Sequence, residues 1–79
     1  MPDTRDRLVE CFKTVFPALE EGSIPAAGMR TLADWDSVGM VVLVNVVEEE
    51  FGLQIPPEDF ERLTSFDEIL RYLDERRHG

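Results

Sequence analysis

A ten-residue segment near the middle of the chain contains six valines and decides which folds are possible. Propensity alone predicts a strand there, because β-branched residues favour extended backbone. A lone strand would have no partner, however, since no second segment of the sequence is rich in strand formers. The flanking residues favour a helix: Asp36 is a good N-cap, the acids at 48–50 continue the register to Phe51, and Gly52 suits the C′ position. We therefore predict a helix over residues 37–51, with packing to offset the low helix propensity of valine.

A helical wheel divides this segment into two faces. The predicted core face consists of Met40, Leu43, Val47, Glu50 and Phe51, with Gly39 and Val46 beside them. The predicted outward face consists of Val38, Val41, Val42, Asn45, Glu48 and Glu49. Exposed apolar residues bordered by charge are typical of a surface that binds other proteins. In the alternative interpretation, the connection over residues 17–35 folds back and covers the three valines.

The other segments predict further helices. Apolar residues at spacings of three and four predict helices over about 3–16 and 65–76, and a proline followed by acids predicts a short helix over about 57–63. The connection over residues 17–35 is unusually long, and its last residue, Trp35, is a candidate packing anchor, as Ile24, Met29 and Leu32 are candidate contacts. We expect one all-α domain over residues 1–79. It would be a small antiparallel bundle of three main helices plus one short helix, with the long loop between helices 1 and 2.

Charge limits the partners of this chain. Seventeen acids against eight bases give a net charge of −9, which argues against binding to nucleic acid or anionic membrane. Between Arg30 and Arg62 every charged residue is an acid: Asp34, Asp36, Glu48, Glu49, Glu50, Glu58, Asp59 and Glu61. This pattern suits either a solvated surface or a docking surface for basic patches on other proteins.

The sequence also indicates where the protein works. The longest apolar run, residues 38–47, is about half the length of a membrane span, so we expect no membrane insertion. The single cysteine, Cys11, cannot form an internal disulfide, and no basic segment precedes an apolar one as in a signal peptide. We expect a cytoplasmic, monomeric protein in which Cys11 is a buried apolar residue.

Conventional catalysis lacks the residues that it needs. A serine nucleophile requires a base, and the only histidine, His78, is the penultimate residue. No cysteine and histidine cluster offers a zinc site. Asp34-x-Asp36-x-x-Gly39 copies part of a calcium loop, but Val38 and Asn45 would replace essential ligands. Ser37, by contrast, would lie in the first turn of a helix capped by Asp36, where the positive helix pole favours an added phosphodiester. We predict that Ser37 is a site of covalent modification.

The motif Asp36-Ser37-Val38-Gly39, followed by Leu43 and then by EEEFGLQIP over residues 48–56, strongly resembles the acyl carrier proteins. The resemblance covers nearly the whole chain, including the order of long helix, long loop, helix with the serine, short helix and final helix. It implies that Ser37, preceded by Asp36, carries 4′-phosphopantetheine transferred from coenzyme A by a phosphopantetheinyl transferase. It also implies partners: an acyl- or aminoacyl-loading enzyme and a downstream synthase or transferase, which dock on the acidic helix. The chain itself would be a carrier and not an enzyme.

Three residues of the outward face depart from the common pattern of that family. Val38 follows Ser37 where Leu or Met is commoner, Val42 replaces a frequent acid, and Asn45 replaces a frequent apolar contact. These departures favour a discrete carrier of a dedicated pathway: polyketide, fatty-acid-like, nonribosomal peptide or aminoacyl transfer. Gly39, two residues after Ser37, resembles the D-alanine carriers in particular. The alternative function is an unmodified acidic helical module that binds proteins through the valine and acid face.

Overall fold

Three α-helices and two short 3₁₀ helices form the protein in a computed structural model, which describes residues 3–78 and side chains through residue 76. The α-helices are α1 (Thr4–Val15), α2 (Ser37–Phe51) and α3 (Phe66–His78). The 3₁₀ helices are Glu21–Ala26, inside the connection between α1 and α2, and Pro57–Arg62. The predicted all-α fold is confirmed. Met1, Pro2 and Gly79, which the predicted domain includes, lie outside the described residues, as do the side chains of Arg77 and His78.

Each α-helix begins where a side chain pairs with the free N–H groups of the first turn. The Asp3 carboxylate accepts from the Asp6 N–H at 2.9 Å, and the Ser65 hydroxyl accepts from the Glu68 N–H at 3.1 Å. At the other end of α2, Gly52 adopts the left-handed conformation with φ of 64°, which glycine adopts without steric cost. The ends of the helices thus follow from local sequence.

The core is organised around the aromatic ring of Phe12 in α1. Its centroid lies 5.3 Å from that of Trp35 and 5.3 Å from that of Phe66, both in edge-on geometry. Leu8 and Leu43 are also fully buried. The core therefore joins α1, α2, α3 and the end of the long connection, and Trp35 is the packing anchor that its position predicted.

The predicted loop over residues 17–35 is more ordered than expected. Ile24 is fully buried and Met29 and Leu32 are partly buried, so the predicted contacts exist. Gly28 and Ser65 form an isolated β-bridge, in which the Met29 N–H donates to the Thr64 carbonyl at 2.9 Å. The connection is thereby fixed to the start of α3, and it contains the 3₁₀ helix that the sequence did not predict.

Helices α1 and α2 run antiparallel, because the first turns of α1 contact the last turn of α2. The Arg7 Nε lies 2.8 Å from the Glu50 Oε2, and the Arg7 guanidinium lies 4.5 Å from the centroid of the Phe51 ring. Glu50 was expected on the core face, and that assignment is wrong: its side chain is 42% exposed. Glu50 lies in the last turn of α2, where its carboxylate pairs with Arg7 of α1 and does not enter the core.

Candidate functional site

Ser37 is the first residue of α2, and Asp36 holds the backbone of that turn. The Asp36 Oδ1 accepts from the Gly39 N–H at 2.9 Å, and the Asp36 carbonyl accepts from the Met40 N–H at 2.8 Å. Ser37 is exposed, and its hydroxyl has no hydrogen-bond partner in the part of the chain that the structure describes. The geometry presents one free hydroxyl to solvent at the positive pole of a helix.

Gly39 permits a close approach between this turn and the segment before it. A β-carbon at position 39 would lie 2.5 Å from the carbonyl oxygen of Asp34, a separation that real side chains do not tolerate. A larger residue would therefore push the segment 34–36 away from the helix. The glycine sets the position of Ser37 through this contact.

A cavity of about 350 Å³ opens beside Ser37. Its other lining residues come from three parts of the chain and are mostly apolar: Met29, Met40, Val41, Phe60, Glu61 and Thr64. Because Ser37 is one of the residues that line the cavity, the cavity offers space beside a group attached there. The sequence did not indicate Phe60 or Thr64, since neither lies near Ser37 in the chain and no local pattern signals a cavity.

The wall of this cavity formed by the second 3₁₀ helix is fixed to α3 by Asp59. The Asp59 Oδ2 accepts from the Tyr72 hydroxyl at 2.7 Å and from an Arg76 guanidinium nitrogen at 2.9 Å. Burial, and then the hydrogen bond to Asp59, raise the pKa of Tyr72, so this hydroxyl keeps its proton and remains a donor. The polar contact positions Phe60 and Glu61 near Ser37.

The three predicted surface valines around Ser37 are exposed. Val38 is 72% exposed, Val41 50% and Val42 45%, and they are the large apolar residues with exposed side chains in the described range. The alternative in which the long connection covers them is wrong, because all three side chains stay exposed, while the bridge between Gly28 and Ser65 fixes the connection to the start of α3. Among the other residues predicted for this face, Asn45 and Glu49 are also exposed.

Glu48 differs from its neighbours on that face. Its side chain is partly buried, and its Oε2 accepts from the Ile55 N–H at 2.7 Å. A charge-assisted hydrogen bond to a backbone N–H fixes the segment after α2. Glu48 thus has a role within the fold, in addition to the partner contact that its position on the wheel predicts.

Three acids of the surface around Ser37 form no ion pair in the described part of the chain. Within the described residues, the ion pairs of the protein involve other acids: Glu10 and Glu21 with Lys13, Glu50 with Arg7, Asp59 with Arg76, Glu68 with Arg71, and Glu75 with Arg62. Asp34, Asp36 and Glu49 take part in none of them. The surface around Ser37 therefore combines exposed valines with carboxylates that form no ion pair.

The described residues contain neither a cluster of metal ligands nor a helix that could span a membrane. Over residues 3–76 no three carboxylate, thiol or imidazole groups come close enough together to hold a metal ion, and the Asp36 carboxylate is used in capping α2. No helix within the described range is both long enough and apolar enough to cross a membrane.

Comparisons with known proteins assign the chain to a family. The family model described as phosphopantetheine attachment site matches residues 6–73. An acyl carrier protein of Rubrobacter xylanophilus is 36% identical over 67% of this chain and 65% of its own length. One from Bdellovibrio bacteriovorus is 44% identical over 52% of this chain and 53% of its own length, and one from Thermosynechococcus vestitus is 32% identical over 71% and 69%.

The chain therefore aligns with 53–69% of the length of these relatives. No solved structure matches it significantly. The domain of this family carries a 4′-phosphopantetheine prosthetic group. From the family model and these relatives, we conclude that the chain belongs to the phosphopantetheine attachment site family and is a member of the acyl carrier proteins.

Proposed function

We propose that this protein carries acyl or aminoacyl intermediates as thioesters on a 4′-phosphopantetheine arm attached to Ser37. The observation that supports this proposal most directly is the exposed Ser37 hydroxyl at the start of α2, beside a cavity of about 350 Å³. Acyl carrier proteins generally carry and do not catalyse, so the chemistry of loading and transfer belongs to partner enzymes.

Attachment of the arm requires one substitution at phosphorus. The Ser37 oxygen forms a bond to the phosphorus that bears the pantetheine group of coenzyme A, and the bond from that phosphorus to the nucleotide breaks. Adenosine 3′,5′-bisphosphate leaves, and the serine proton passes to a base of the transferase. When attached, the arm supplies a terminal thiol for the thioester.

The residues around Ser37 favour attachment of the arm in three ways. The free N–H groups and the dipole at the start of α2 stabilise the new phosphodiester by about 0.3–1 kcal/mol. Gly39 and Asp36 hold the turn that presents the hydroxyl to solvent. The apolar lining residues Met40, Val41 and Phe60 offer contacts to the part of the arm nearest the protein.

The partners that we propose are a phosphopantetheinyl transferase, an acyl- or aminoacyl-loading enzyme, and a downstream synthase or transferase. Family members interact with enzymes of these kinds. The proposed contact surface consists of Val38, Val41, Val42, Asn45, Glu48 and Glu49, which would meet apolar and basic residues of the partner. We place this carrier in the cytoplasm, as a monomer, in a dedicated polyketide, fatty-acid-like, nonribosomal peptide or aminoacyl-transfer pathway.

The test is intact mass after incubation with coenzyme A and a broad-specificity phosphopantetheinyl transferase. The expected result is a gain of one phosphopantetheine in the wild-type protein and none in Ser37→Ala. Ser23→Ala is the matched control, because Ser23 is also exposed and lies in the first 3₁₀ helix. A wild-type protein that gains no mass, or a gain that persists in Ser37→Ala, would overturn the proposal.

A second function has one observation in its favour, the three exposed valines of α2. An unmodified interaction module would use this surface without any arm. It predicts that binding to a partner is unaffected by Ser37→Ala and abolished by Val42→Lys, as measured by calorimetry with the purified partner. Loss of function in Ser37→Ala alone would count against the unmodified module.

A further inference from the structure

A second depression lies on the other side of the Ser37 turn, between the segment that leaves α1 and the first half of α2. Its volume is about 500 Å³. Phe16 and Leu32 contribute to it from the core side, and the walls are formed by residues 17–19 and by Val38 and Val42 of α2. We call this depression the 17–42 groove. It is separate from the cavity beside Ser37, which Met29, Met40 and Phe60 line on the opposite side.

The 17–42 groove combines an apolar interior with an acidic edge. Pro17, Ala18 and Leu19 present no charge, while Asp34 and Asp36 also line the groove and lack ion-pair partners in the described part of the chain. Every charged residue between Arg30 and Arg62 is an acid, so α2 itself contributes no cation to that edge. An occupant that complements it must offer an apolar side chain flanked by positive charge.

The position of the groove limits which molecule can occupy it. Asp36 and Val38 line the groove, and they are the residues on either side of Ser37 in the chain. An enzyme that brings its active site to the Ser37 hydroxyl therefore comes to lie beside the groove. The occupant is then a feature of the enzyme that acts on Ser37, and not of a protein that docks elsewhere.

We propose that the 17–42 groove receives an apolar side chain of the phosphopantetheinyl transferase, with lysine or arginine of the transferase facing Asp34 and Asp36. This inference rests on the proposed function of Ser37. It adds residues 17–19 of the long connection to the proposed contact surface, which otherwise consists of residues of α2 alone. Ala18 is the residue on which the test depends, because it is exposed and lines the groove.

The test measures the rate of phosphopantetheine transfer to Ala18→Lys as a function of carrier concentration. A lysine at position 18 places bulk and positive charge where the transferase would insert an apolar side chain between cations. The expected result is a KM for the carrier that is higher by about tenfold, with kcat nearly unchanged, because binding is weakened while the reacting atoms keep their positions. Ala26→Lys is the matched control: Ala26 is exposed, and it does not line the groove.

Circular dichroism melting of both variants establishes that each is folded before the kinetics are compared. A second variant, Asp34→Asn, removes charge from the edge without adding bulk. We expect it to raise KM about two- to threefold at low salt and to make KM less sensitive to added salt, since exposed charges act mainly on association.

The outcomes separate this inference from the proposed function. If the wild-type protein is modified and Ala18→Lys has the same KM as Ala26→Lys, the groove proposal is overturned while Ser37 remains the attachment site. If the wild-type protein gains no mass, the proposed function itself fails. If Ala18→Lys converts a wild-type dimer into a monomer in light scattering, the groove binds a second copy of this chain, and the proposal is wrong.

Discussion

The backbone at Gly39 touches the carbonyl oxygen of Asp34, so that a β-carbon at position 39 would lie only 2.5 Å from that oxygen. Gly39→Ala must therefore displace backbone, and we expect it to lower the free energy of unfolding by about 1–3 kcal/mol, as measured by urea denaturation. Transfer of phosphopantetheine to this variant should also slow, because the turn that presents Ser37 shifts.

Gly22→Ala is the matched control for this prediction. Nothing lies within 4 Å of a β-carbon at position 22, and the residue does not have a positive φ. We expect its stability to change by less than about 1 kcal/mol, in the stabilising direction. Equal effects of the two substitutions would contradict the role assigned to the contact between Gly39 and Asp34.

Glu48 and Glu49 are neighbours of the same type whose substitutions should differ. Glu48→Ala leaves the N–H of buried Ile55 without its acceptor, so we expect a loss of about 1–3 kcal/mol in the free energy of unfolding. Glu49 is exposed, and Glu49→Ala should change stability by less than about 0.5 kcal/mol. Thermal melts of the two variants at the same pH measure this difference. If Glu48→Ala were as stable as the wild-type protein, the structural role of Glu48 would be refuted.

Arg7 joins the start of α1 to the end of α2 through its ion pair with Glu50 and its contact with the Phe51 ring. Both groups are partly exposed, so we expect Arg7→Gln to cost only about 1 kcal/mol. Part of this difference should disappear in high salt, which screens the ion pair. Arg5→Gln is the control, since Arg5 is exposed and forms no ion pair within residues 3–76; a similar loss in Arg5→Gln would argue against the Arg7 contacts.

Cys11 provides a prediction about pH. Burial, and then the nearby carboxylate of Glu50, raise the pKa of the Cys11 thiol to about 11. At pH 8 the native thiol should thus react with a disulfide reagent far more slowly than the same thiol in urea, as followed by absorbance of the released chromophore. Equal rates in the two states would show that the thiol is accessible.

The same shift in pKa has a consequence for stability. Above pH 9 the unfolded thiol loses its proton while the native thiol keeps it, so the unfolded state binds fewer protons. The contribution of Cys11 is therefore complete below pH 9 and declines between pH 9 and 11. In Cys11→Ala this part of the decline should be missing from the unfolding free energy measured across that range.

The sequence predicted those parts of the structure that depend on neighbours in the chain. The N-cap at Asp36 and the glycine that ends α2, Gly52 in the αL conformation, are local features, and both are confirmed. The wheel placed Met40, Leu43 and Val47 in the core correctly but did not assign Val44, which is 4% exposed. The buried face of α2 is wider than a single stripe, because the helix packs against more than one part of the chain.

Features that join distant parts of the chain escaped prediction. The bridge between Gly28 and Ser65, and the Asp59 contacts with Tyr72 and Arg76, depend on the tertiary arrangement and leave no periodic signal. The cavity beside Ser37 depends on both. The assignment of Ser37 itself came from its motif, and it stays a prediction until the mass measurement is made.

Trp35 gives this protein an intrinsic fluorescence probe next to the turn that presents Ser37. It is the only tryptophan in the chain, its side chain is 1% exposed, and it lies two residues before Ser37. Its indole N–H has no hydrogen-bond partner within the described residues, and its ring packs against Phe12 and Phe16. Native emission should accordingly be blue-shifted, and any displacement of the 34–36 segment should appear as a red shift without an added label. A fluorimeter could then follow how the serine turn responds to each new cargo.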